Sequence, residues 1–156
     1  MAKVVARQVV SGSQELVWHV LSDFDRMPEW LPGVTSIEHT GGPPKAFGRE
    51  HVAQMEGGVE AHQRIVAWDN SRRIAWRNVR EVRDGRDVAS LQNFRITIDL
   101  RPSAANTEIT LTGTWSGGGP LGLIRSLTNR GRITSELEQA LANLDELLSG
   151  GAAGGD

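Results

Sequence analysis

The spacing of apolar residues along this chain changes period twice. Lys3 to Val10 is a short valine-rich run that predicts a strand. Ser11 or Ser13 can cap a following helix, with Val17, Val20 and Leu21 on its apolar face. Asp23 to Pro32 carries two prolines and bulky apolar anchors, which predicts a second short helix closing at Pro32-Gly33. From Val34 the period drops to two. Strands are expected over Val34 to His39, Phe47 to Glu56, Val59 to Trp68, Arg72 to Val82, Leu91 to Leu100 and Glu108 to Trp115. The last two alternate cleanly, with Phe94, Ile96, Ile98 and Leu100 on one side of the first, and Ile109, Leu111, Gly113 and Trp115 on one side of the second. Such alternation marks a sheet with one wet and one buried face. After Gly117-Gly118-Gly119-Pro120 the helical period returns. Ile124, Leu127, Thr134, Leu137, Leu141, Leu144 and Leu148 form one stripe.

A sheet with one apolar face and a long helix with one apolar stripe must cover each other. The expected fold is therefore α+β: a curved antiparallel sheet wrapped around a long C-terminal helix, with two short helices between strands 1 and 2. Residues 1–149 form a single domain, and 150–156 (GAAGGD after Gly150) are expected to be a disordered tail. A chain of 156 residues has enough core to need no staples.

Composition narrows the function. The net charge of −2 argues against a nucleic-acid binder and against an electrostatic membrane anchor. No apolar run approaches membrane-span length, so no integral membrane association is expected. There is no cysteine, and His19, His39, His51 and His62 show no HExxH or HxH spacing, which argues against a metal site. No phosphate-binding loop, nucleophile elbow or dinucleotide fingerprint exists, so no cofactor is expected. MAKVVARQVV lacks the apolar core of a signal peptide, which predicts a cytoplasmic protein.

Three stretches carry a resemblance. They are ELVWHVLSD with Pro28-Glu29-Trp30 and Pro32-Gly33-Val34, then WDNSRRIAW over Trp68 to Trp76, then GGPLGLIRSLTNRGRITSELEQALANLDELL over Gly118 to Leu148. In this order the chain resembles the START-like helix-grip superfamily, in its polyketide cyclase/dehydrase and lipid-transport branch. The resemblance implies a cavity between sheet and long helix that takes a hydrophobic small molecule. Some relatives close or aromatise poly-ketone chains with an inward arginine and a tyrosine; others only carry a ligand. This chain has no tyrosine, Val34 standing at about its place, while the arginine position falls near Val66 and Arg64 lies two residues earlier.

Gly57-Gly58 reads as a two-residue hairpin turn, which pairs Met55 with Glu60, Ala53 with His62 and His51 with Arg64. One face then holds His51, Ala53, Met55, Glu60, His62, Arg64 and Val66; a slip of one residue reverses the assignment. The resemblance favours this face pointing inward. His62 or His51 would then be a base acting α to a carbonyl, and Arg64 would hold the enolate. The alternative is that the polar residues form the solvated face of the hairpin.

Trp76, Asn78, Phe94 and Trp115 are either core or ligand wall, as are Met55 and Val66. Trp30 either anchors the second helix or caps a pocket mouth. Gly131, with Leu127 and Thr134 on the helix stripe, marks either a cavity floor, or a kink or close approach to a sheet strand. The loop Thr40 to Lys45 is a plain connection or a lid. The function expected is cofactor-free cyclisation or dehydration of an apolar poly-carbonyl or aromatic molecule, by a monomer or homodimer. The alternatives are a non-catalytic carrier or sensor of a lipid or quinone, and a protein-binding domain with a filled interior.

Overall fold

The computed structural model describes the backbone of residues 1–88, 91–116 and 119–154, with side chains for 1–88, 91–116 and 129–150. Strand β1 (Ala2–Val10) leads into helix α1 (Gln14–Leu21), a 3-10 turn over Phe24–Arg26 and the short α2 (Met27–Trp30). Then come β2 (Val34–Gly41), β3 (Glu50–Met55), β4 (Val59–Asp69), β5 (Arg73–Arg83), β6 (Arg86–Asp87), β7 (Gln92–Ser103), β8 (Asn106–Ser116) and α3 (Gly119–Gly154). Ser13 supplies the α1 cap, its hydroxyl accepting from Leu16 N at 3.2 Å.

The strands form one antiparallel sheet in the order β1-β8-β7-β5-β4-β3-β2, with β6 beside β5. The fold is thus α+β, a curved antiparallel sheet closed by the long helix. The sequence missed β6, a two-residue pairing too short to have a period. It also began β3 three residues early: Gly48 adopts φ +89°, which breaks an extended run before Glu50.

Periodicity explains how the layers meet. Ile133, Leu137, Ala140, Leu141, Leu144 and Leu148 are all buried along α3. They pack with Ile98, Ile109, Leu111 and Trp115 in one core. Gly113 lets the helix approach β8, because a Cβ there would stand 3.3 Å from Val4 Cγ2 and 3.5 Å from Ile133 Cγ2. The α3 stripe is shifted by one position from the expected one at its N-terminal side. Ile133 is the buried residue, whereas Thr134 is half-buried and its hydroxyl turns back to the Arg130 carbonyl at 2.7 Å. Gly131 is exposed and faces open space, so it forms no cavity floor. The Leu127 side chain lies outside the described residues. Helix α3 runs to Gly154; side chains beyond 150 and residues 155–156 also lie outside the described residues.

Candidate functional site

The hairpin that carries the expected chemistry has a different register. Met55 pairs with Val59, Ala53 with Ala61, Val52 with His62, His51 with Gln63 and Glu50 with Arg64. The connection is therefore three residues, Glu56-Gly57-Gly58, with both glycines at positive φ. This one-residue slip turns every β4 side chain to the opposite face. Ala61, Gln63 and Ile65 point inward and are buried. Arg64 is exposed, and His62 is half-exposed beside Glu60 at 3.9 Å. The physical reason is burial: this register hides Ala61 and Ile65 and leaves the guanidinium in water. Val66 falls at a β-bulge between Ile65 and Ala67 and does not line the interior pocket.

The interior is divided in two. One half is filled by aromatic side chains: Trp18 meets Trp68 edge-on at 5.2 Å, and Phe24 lies 6.2 Å from Trp68 and 5.3 Å from the His51 ring. The Arg49 guanidinium sits 4.6 Å over the Phe24 ring. The other half is a pocket of about 170 Å³ between β3–β5, β7 and α3. Its apolar wall is Leu31, Val34, Met55, Trp76, Phe94, Ile96 and Leu137, and its polar side is Gln63, Asn78, Glu81, Arg132 and Glu136. Met55, Trp76, Asn78 and Phe94 of the expected set are thus brought together. Trp30 and Trp115 are fully buried in the core instead, and neither indole N–H finds a partner among the described residues.

A buried polar chain joins the two halves. Arg49 Nε donates to His51 Nδ1 at 3.0 Å, and His51 Nε2 lies 2.9 Å from Gln63 Oε1. Gln63 Nε2 donates to Asn78 Oδ1 at 3.1 Å, and the Asn78 amide helps hold the Glu81 carboxyl in its charged form. The Arg49 end fixes the proton positions, because a guanidinium can only donate. His51 is therefore neutral with its proton on Nε2, and both amides have a single orientation. Burial drives the His51 imidazole down to about 4; its bond to Gln63 opposes this, and the Arg49 charge adds to it. With Nδ1 occupied by Arg49, His51 has no free lone pair with which to take a proton from a ligand. The expected base is a structural link.

Sequence reasoning missed Arg49, Gln63, Glu81 and Arg132. Arg49 lies just outside β3 yet is 6% exposed, its second arm donating to the Pro44 carbonyl at 2.7 Å. Glu81 reaches the pocket because a bulge on β5, between Asn78 and Arg80 opposite His62 and Gln63, shifts the alternation by one. Burial raises the Glu81 carboxyl above its ordinary value, against the Arg132 charge and the Asn78 bond. A larger, open cleft of about 820 Å³ lies elsewhere, beside Trp68, Arg72, Arg73, Asp99 and Arg101. There Arg73 Nε meets Asp99 at 2.6 Å.

The family model described as polyketide cyclase / dehydrase and lipid transport matches residues 1–149. Solved structures share the fold throughout. The protein XoxI from Bacillus cereus superposes with a TM-score of 0.75 at 18% identity, over 95% of this chain and 96% of its own. A Thermobifida fusca protein gives 0.74 at 20% identity, over 95% and 93%. The Aha1 dimer from Colwellia psychrerythraea gives 0.65 at 13%, over 95% and 96%. Uncharacterised proteins of Mycobacterium tuberculosis and Mycobacterium bovis are 27% identical over 63 residues, which is 40% of this chain and 38% of theirs. The match therefore spans well under half of those curated relatives.

Proposed function

The chain belongs to the polyketide cyclase / dehydrase and lipid transport family, and on that premise we propose that the pocket binds a small, largely apolar molecule by one polar end, without converting it. The observation that carries this reading is the Gln63–Asn78–Glu81 edge facing an otherwise apolar wall. A pocket of about 170 Å³ suits a single-ring or short-chain ligand, or one end of a longer one. Gln63 spends one amide N–H on Asn78 and keeps another for a ligand oxygen, and the Asn78 amide offers its own.

Acetophenone is a fitting probe, with quenching of tryptophan fluorescence as the readout, since Trp76 forms part of the wall. Binding is expected, and ethylbenzene, which lacks the carbonyl, is expected to bind roughly 2–10-fold more weakly, the worth of one hydrogen bond. Ala61→Leu fills the pocket from β4 and is expected to abolish probe binding while keeping the melting temperature close to wild type, because the added methyl groups enter a void. Equal binding by the Ala61→Leu protein would place the ligand elsewhere.

A catalytic reading retains one specific support. Glu81 is a half-buried carboxylate with a raised pKa, close enough to Arg132 to feel its charge, and a base beside a cation is what cyclisation of a poly-ketone needs. Glu81→Gln separates the two readings. Under binding alone, acetophenone affinity changes by less than about 3-fold and no turnover exists to be lost. Under cyclisation, product formation from a poly-β-ketone falls by the roughly 10²–10⁴-fold that a general base supplies.

A further inference from the structure

The outer face of the sheet carries a straight row of cations. Across adjacent strands Arg64 pairs with Arg77, Arg77 with Arg95, Arg95 with Thr114 and Thr114 with Lys3. These positions alternate with Gln63, Trp76 and Ile96, which line the pocket, so they stand on the face turned away from α3. Among the described residues, Arg64, Arg77 and Arg95 form no ion pair; the sheet's ion pairs are made by His62, Arg73, Arg80 and Arg101. Glu50, the carboxylate beside Arg64 on β3, does not close one either. Like charges placed directly opposite one another destabilise a sheet. Three in a line, without a carboxylate interposed, is an arrangement that folding alone disfavours.

The geometry points to an acidic helix of a partner protein as the occupant of this row, lying across the strands. The row advances by the strand spacing, about 4.8 Å per step, so the three arginine Cα positions stand at about 0, 4.8 and 9.6 Å. Carboxylates at i, i+3 and i+7 of an α-helix rise by about 0, 4.5 and 10.5 Å along its axis and share one face. Alternate side chains of an extended segment fall at about 0, 6.8 and 13.6 Å and are out of step by the third site. A net charge of −2 disfavours a long polyanion, and no aromatic side chain occupies the row itself to stack a base.

The probe is an alanine-based helical peptide of about fifteen residues with glutamates at i, i+3, i+7 and i+10, labelled for fluorescence anisotropy. Its control has the same composition with the glutamates spread around the helix. The full chain is expected to bind the first peptide at low salt and to lose it as salt rises. Arg77→Gln is expected to weaken binding about 3–5-fold and the Arg64→Gln/Arg95→Gln double variant by about 10-fold or more, while Arg83→Gln, outside the row, changes nothing. The Arg77→Gln melting temperature should hold or rise, because a like charge has been removed, so weaker binding cannot be put down to unfolding. Three results would overturn the assignment: equal binding of the control peptide, binding of single-stranded oligonucleotide or phosphatidylserine vesicles in place of the peptide, or an Arg77→Gln protein that binds as wild type does.

Discussion

Acidification from pH 7 to pH 4 is expected to destabilise the fold by about 3 kcal/mol through His51 alone. In the folded chain the imidazole is 1% exposed and its pKa lies at about 4, against 6.5 when unfolded. Between those values the unfolded chain binds a proton that the folded chain refuses, so stability falls as pH falls through that window and levels off below about 4. A difference of some 2.5 units, at about 1.4 kcal/mol each, sets the magnitude. Glu81 works against it. Its folded pKa is raised, so the folded chain takes up a proton more readily, and acidification through the range just above the ordinary carboxylate value stabilises. Urea unfolding at several pH values, in wild type and in a Glu81→Gln background, separates the two. His51→Gln can still accept from Arg49 and donate to Gln63, and it should lose most of the slope between pH 6.5 and 4. A variant that keeps the slope would show that another group carries it.

Trp76→Ala should have the largest effect of any single substitution in the pocket wall. Trp76 is 2% exposed, lies between Ile65 and Ile96 in the sheet register, and separates the pocket from the core. Removing a buried indole costs about 3–5 kcal/mol, as lost transfer free energy plus the void left behind. In a chain of this length that lowers the melting temperature by roughly 10 °C. The void opens into the existing pocket, so a two-ring ligand that wild type excludes should fit. 2-Acetylnaphthalene, one fused ring larger than acetophenone, is expected to raise the melting temperature of the variant and leave that of wild type unchanged, since the enlarged cavity takes a matching solute. A loss of less than about 1 kcal/mol, or no response to 2-acetylnaphthalene, would mean that the wall collapses when the side chain goes.

These expectations rest on side chains of unequal legibility. Trp76, Asn78, Phe94 and Met55 were readable as a set because strict alternation along β3, β5 and β7 places them on one face. Glu81 was not, because the bulge after Asn78 moves it to the inner face against the alternation. Arg49 gave no signal either. It stands in the loop before β3, where an arginine is ordinarily wet, and only the fold brings it over Phe24 and against His51. The expected pair His62 and Arg64 failed for a single reason, a hairpin loop of three residues where Gly57-Gly58 read as two. In a strand of period two, that error exchanges the cavity for the solvent. Arg64 then stands in the outer cation row instead of the pocket.

The sequence by itself determined the element order, the α+β class and the mutual covering of helix and sheet, because each follows from local periodicity and from the need to bury an apolar face. It also determined the helix stripe from Leu137 to Leu148, where leucines recur at helical spacing without interruption. Only the tertiary structure decided the strand register, the inward turn of Glu81 and the burial of Arg49 within a hydrogen-bonded chain. Local pattern is blind to a one-residue shift between strands. The free energy that selects one register is gained only when distant side chains, Ala53 with Ala61 and His51 with Gln63, come face to face.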